Sequence, residues 1–81
     1  MRLDKYLKVA RIIKRRTIAR EACDKGLVAL NGKTAKAGSE VNVGDRLTLD
    51  ISQPPLEVEV LLVTEHIKKE DADSLYRLIK E

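Results

Sequence analysis

The sequence predicts an α+β fold in which two N-terminal helices pack on a small sheet of short strands, with a C-terminal helix after them. Three observations predict it. Apolar residues recur at helical spacing over the first twelve or so positions, alternate with polar residues between about 27 and 63, and return to helical spacing near the end. At 81 residues the chain has room for one hydrophobic core, so a single domain spanning 1–81 is expected.

Taking the elements in order, Leu3, Tyr6, Leu7, Ala10 and Ile13 form one stripe of an amphipathic helix over roughly residues 2–12, flanked by Arg2, Lys5, Lys8 and Arg11. Lys14-Arg15-Arg16 has no apolar period. Thr17 offers a hydroxyl suited to cap a second helix over about 18–25, and Gly26 supplies the left-handed residue that ends it. The small face of Ile18, Ala19, Ala22 and Cys23 permits close approach to the first helix. Leu27 to Leu30 reads as a strand, and Asn31-Gly32 as a tight turn with positive φ. Val41 and Val43 alternate before a second turn at Gly44-Asp45. Leu47, Leu49 and Ile51 then alternate with polar residues, and after Pro54-Pro55 so do Leu56, Val58, Val60 and Leu62, with Glu57 and Glu59 on the wet side. Val28, Leu30, Leu47, Leu49 and Val60 are the expected core beneath the helices. Ala72, Leu75, Tyr76 and Ile79 form the stripe of a C-terminal helix from about Glu70 to Lys80, whose acidic first turn and basic last turn suit the helix dipole.

Composition removes several classes of function. One cysteine, Cys23, cannot form an intramolecular disulfide or a cysteine-based zinc site, and one histidine, His66, completes neither a metal site nor a catalytic triad. No nucleophile with a base and no glycine-rich phosphate loop is present, so no catalytic residue, cofactor or metal is expected. Cys23 reads as a small buried apolar group and His66 as an exposed connector residue. No long apolar run or signal peptide is visible, which points to a cytoplasmic protein in a reducing environment. Aromatic residues make up 2% of the chain, only Tyr6 and Tyr76, which argues against stacking splayed single strands.

Charge is the informative feature. Residues 1–36 carry eleven Lys or Arg against three acids, a net +8, whereas residues 37–81 carry five against ten, a net −5. Such a division implies one face for a polyanion and another for solvent. Seven of the first sixteen residues are Lys or Arg and only Asp4 is acidic, whereas a solvated helix face would mix signs and offer ion pairs. Guanidinium forks bind two phosphate oxygens at once, so a basic run ending in Arg15-Arg16 suits a nucleic-acid backbone. Asp4 has two readings of equal weight: it favours the helix N-terminus by charge, or it pairs with an arginine and fixes its guanidinium for phosphate.

The runs Arg2-Leu3-Asp4-Lys5-Tyr6-Leu7, Lys14-Arg15-Arg16-Thr17, Gly26-x-Val28-x-Leu30-Asn31-Gly32-Lys33 and Val43-Gly44-Asp45-x-Leu47 occur in that order. Together they resemble the S-four RNA-binding domain, also called the alpha-L motif. The resemblance implies an S-four-like fold in which two helices and a following hairpin present a basic surface to folded RNA. It places Arg2, Asp4, Lys5, Arg15, Arg16, Thr17, Arg20, Asn31 and Lys33 on that surface; Lys8, Arg11 and Lys14 join them as the other cations of the first helix and its exit. Within the family the chain is similar to the small stand-alone ribosome-associated quality-control type, related to the fifteen-kilodalton heat-shock protein. That similarity implies large-subunit rRNA and P-site peptidyl-tRNA as partners, a tailing factor on the same subunit, and a monomer.

Three other readings compete with this one. A DNA-binding helix-turn-helix regulator is weakened because the second helix has Arg20 but no Asn or Gln to read adenine edges. The RNA-targeting module of a modification enzyme would be expected to carry a second domain. A heat-shock-type nascent-chain recycling factor is the alternative within the family.

Overall fold

The computed structural model describes residues 1–79. Its order is α1 (Leu3–Val9), α2 (Arg16–Asp24), β1 (Val28–Leu30), β2 (Lys33–Thr34), β3 (Arg46–Leu49), β4 (Leu56–Val60), a 3-10 helix (Lys69–Leu75) and β5 (Tyr76–Leu78). The strands form one antiparallel sheet in the order β2-β1-β3-β4-β5.

α1 is shorter than its apolar stripe. The backbone of Arg11 turns left-handed (φ 59°), so its amide bonds the Lys8 carbonyl and the Ile12 amide bonds the Leu7 carbonyl. That pair of bonds is a Schellman ending, and the helix stops although the stripe continues: Ala10 and Ile13 are still buried with Leu3, Tyr6 and Leu7. α2 ends the same way at Gly26 (φ 74°), with its amide on Cys23 and the Leu27 amide on Ala22. The start of α2 differs from the sequence reading: the helix begins at Arg16, with Arg15 in the capping position and no side-chain cap, so Thr17 lies inside the first turn. At the N-terminus of α1, carbonyls replace a side-chain cap, for Leu3 and Asp4 donate their amides to Ser39 and Ala37 at 2.8 and 3.1 Å.

The Asn31-Gly32 turn has both residues at positive φ, as a two-residue hairpin loop joining β1 to β2 requires. Register then sets the dry face of the sheet: Val28 opposes Leu49, which opposes Leu56, and Leu30 opposes Leu47, which opposes Val58. Of the five residues expected in the core, Val28, Leu47, Leu49 and Val60 are fully buried and Leu30 is partly covered. β4 ends at Val60, and Leu62 is exposed, because the amides of Leu61 and Leu62 both turn to the Leu75 carbonyl. Val43 is likewise exposed and belongs to no strand.

The C-terminal segment departs most from expectation. Residues 69–75 coil as a 3-10 helix that buries Ala72 and Leu75, and Tyr76–Leu78 then extend as a strand along the open edge of β4. A helical stripe through Tyr76 and Ile79 would leave that edge of β4 unpaired, and pairing it satisfies backbone groups that a helix could not reach. Lys80, the end of the expected helix, lies outside the described residues. The buried Tyr6 phenol donates to the Leu75 carbonyl at 2.7 Å and so ties α1 to this segment; burial pushes the phenol well above its usual pKa. Cys23 is buried and His66 exposed, as expected.

Leu49→Ala is expected to cost about 2–5 kcal/mol, the usual range for emptying a packed leucine site. Ile51→Ala, two residues on and 43% exposed, should cost under about 1 kcal/mol. Urea unfolding of both variants checks the strand's end, since similar losses would place Ile51 in the core.

Candidate nucleic-acid interface

Asp4 is the only charged residue buried among those described. It sits in the first turn of α1, where Oδ1 accepts the Lys5 amide at 2.8 Å. The same oxygen accepts Nε of Arg2 at 3.2 Å, and Oδ2 accepts Nε of Arg16 at 3.2 Å. The side chain is 3% accessible, whereas those of Arg2 and Arg16 are 54% and 46% accessible. The carboxylate is thus shielded by two half-exposed arginines and lies just beneath the surface. The two sequence readings of Asp4 are compatible in geometry, since it sits in the first turn of α1 and pairs with two arginines.

The consequence is geometric. Each arginine spends its Nε on Asp4, which holds the plane of the guanidinium and leaves the Nη groups turned to other partners. One buried negative charge fixes two positive ones, so the cluster keeps a net positive charge with two oriented forks. Arg2, Asp4, Arg16, Thr17 and Arg20 line one open cleft of about 260 Å³. Arg15 is exposed beside it at the start of α2. Burial is the largest influence on the Asp4 carboxyl and raises its pKa. The Arg16 hydrogen bond, the Lys5 amide, the Arg16 charge and the Arg2 hydrogen bond together outweigh it and leave the carboxyl below the usual 3.8.

The remaining expected residues fall elsewhere. Lys5 is held by Glu65 at 2.6 Å, across 60 residues of sequence. Lys8, Arg11 and Lys14 line a second cleft of about 290 Å³ with Lys68 and Lys69, two cations that the sequence reading passed over because they sit in the acidic half. The side chain of Asn31 is engaged internally, accepting the Arg46 amide at 2.9 Å and donating to Asp45 at 3.1 Å, so it secures the hairpin to β3. Lys33 is exposed on β2, and neither it nor Asn31 lines the two basic clefts. Among the described residues no His, Cys, Asp and Glu side chains converge as a metal site, and no helix is long and apolar enough to cross a membrane.

A model of the S4 domain matches residues 1–47. The whole chain is 49% identical to the RQC P-site tRNA stabilizing factor of Halalkalibacterium halodurans, covering 92% of that protein. It is 48% identical to the protein of the same name from Bacillus subtilis, again over the whole chain and 94% of the relative. Among solved structures, that of Vibrio cholerae Heat Shock Protein 15, described as trimeric, overlays with a TM-score of 0.89 at 31% identity, covering 98% of this chain and 81% of the other.

Because Asp4 is ionised more readily in the folded protein than free, its clamp contributes stability that is fully present above pH 3.8 and lost as pH falls through the folded value. Acidifying from about pH 6 to about pH 3 should therefore narrow the stability gap between wild type and Asp4→Asn. Urea midpoints across that range check it; a constant gap would mean that the carboxylate is not the group that counts.

Proposed function

Since the chain belongs to the S4 domain family, and within it to the family of the RQC P-site tRNA stabilizing factors, we propose that it is a non-enzymatic, cytoplasmic RNA-binding factor that acts on large ribosomal subunits obstructed by peptidyl-tRNA. In this reading it contacts large-subunit rRNA and the P-site tRNA, and supports the addition of a C-terminal tail to the stalled nascent chain by a partner on the same subunit. One observation carries the reading: Asp4 orients Arg2 and Arg16 at the mouth of a cleft shared with Thr17 and Arg20. Two fixed guanidinium forks suit phosphates held at a set spacing in folded RNA. The near absence of aromatic residues fits recognition of shape and backbone over stacked bases.

Arg15, Arg20 and Thr17 extend the surface along the first turns of α2, and Lys33 adds a cation on the hairpin. Asn31 serves the surface indirectly by bracing that hairpin. A monomer suffices, as every member of the Arg2–Arg16 cluster comes from one chain.

The overlay with Heat Shock Protein 15 favours a second reading within the family, a factor that recycles nascent-chain-blocked large subunits without tailing. The two differ in the product: tailed nascent chains on the particles that co-purify with the protein support the first, and untailed ones the second.

Arg16→Lys keeps the charge and loses the fork, so co-sedimentation with large subunits carrying peptidyl-tRNA should weaken by roughly three- to tenfold. Arg16→Ala should weaken it by at least roughly tenfold, in line with about 1–3 kcal/mol for an oriented arginine contact. Lys25→Ala, an exposed charge outside both clefts, should bind as wild type. Equal losses for Arg16→Ala and Lys25→Ala would reduce the interaction to diffuse attraction and overturn the proposal.

A further inference from the structure

We propose that the cleft between the end of α1 and the segment bearing Lys68 and Lys69 is a second phosphate site, seating a run of RNA backbone separate from that at Arg2 and Arg16. The inference rests on the RNA-binding reading above and deepens it, giving the protein two places to hold folded RNA.

Three observations converge on this cleft. Lys8, Arg11, Lys14, Lys68 and Lys69 meet there, all exposed, and among the described residues none of the five has a carboxylate within ion-pair distance. The one acid in the lining, Glu65, is already engaged by Lys5 at 2.6 Å. Five unpaired like charges repel one another, a cost that a bound polyanion offsets. Long-range packing also assembles the cleft, bringing together cations more than fifty residues apart in sequence.

The second observation is the backbone of Arg11. It occupies the left-handed position of a Schellman ending (φ 59°), the position that Gly26 fills in α2. A side chain there strains the backbone and glycine would relieve it, so the arginine at this position costs the fold some stability. Such strain at a charged surface position points to a contact made by that side chain. The third observation is what the lining lacks. Its apolar members are Val9 and Ile67, with no aromatic ring to stack a base, and lysines act as point charges that follow phosphates regardless of sequence. The two basic clefts share no lining residue, so the phosphates seated in each are distinct.

The test is filter binding to purified large-subunit rRNA over a salt series, read as the slope of log affinity against log salt. Each phosphate contact contributes close to one unit of slope. Lys68→Gln with Lys69→Gln should lower the slope by about two, whereas the charge-matched pair Lys25→Gln with Arg77→Gln should leave it at the wild-type value. Arg11→Gly should raise the melting temperature yet lower the slope by about one, opposite effects that a purely structural role cannot produce. If both cleft variants match wild type and the control pair while Arg16→Ala still loses binding, the second site is wrong and the RNA-binding reading stands. If Arg16→Ala also binds as wild type, both fall together.

Discussion

The structure depends on one buried carboxylate shared by two arginines. Asp4 brings together the residue before α1, the first turn of α1 and the first residue of α2, so the angle at which the two helices meet and the direction of the basic groups share a determinant. A buried charge without a partner is costly, and Asp4 has two, so the carboxylate and the arginines hold one another in place. Evolved for stability alone, such a site could be replaced by apolar packing at little loss. In the proposed function it holds two guanidinium groups still before RNA arrives, which would spare part of the entropy of ordering them on binding.

Around that cluster the fold supplies rigid support. The loop at 37–39 lends its carbonyls to the first amides of α1, the Tyr6 phenol anchors α1 to the Leu75 carbonyl, and β5 covers the edge of β4. Each contact spans a long stretch of sequence, so the N-terminal helices are fixed by segments that carry little of the positive charge. The acid-rich half of the chain is mostly scaffold, and at Lys68 and Lys69 it returns two cations to the basic face.

Much of this was legible in the sequence where the signal is local. The spacing of Leu3, Tyr6, Leu7, Ala10 and Ile13 marks the buried face of α1, Asn31-Gly32 marks the hairpin, Gly26 marks the end of α2, and alternation marks β3 and β4. What was not legible is set by contacts across the chain. Tyr76, Arg77 and Leu78 fit a helical stripe as well as a strand, and only the open edge of β4 decides between them. Arg11 stops α1 without the glycine that would announce it, and Thr17 loses its capping role because the helix starts one residue before it. The surface was legible as a basic segment but not as two clefts: Lys5 is drawn to Glu65, Asn31 is consumed by Arg46 and Asp45, and Arg16 finds Asp4 twelve residues away.

In the proposed function Asp4 promotes RNA binding by orienting arginines, although its own charge repels phosphate. Asp4→Asn makes the protein more basic by one charge and leaves Arg2 and Arg16 in the sequence, so charge attraction alone predicts tighter binding. The clamp predicts weaker binding, because an amide holds two guanidinium groups less firmly than a carboxylate does. Affinity of the folded Asp4→Asn protein for large subunits carrying peptidyl-tRNA, measured at fixed salt, decides between them. Orientation by Asp4 implies a loss of roughly tenfold, comparable to removing one oriented contact; affinity equal to or above that of wild type would mean that orientation plays no part.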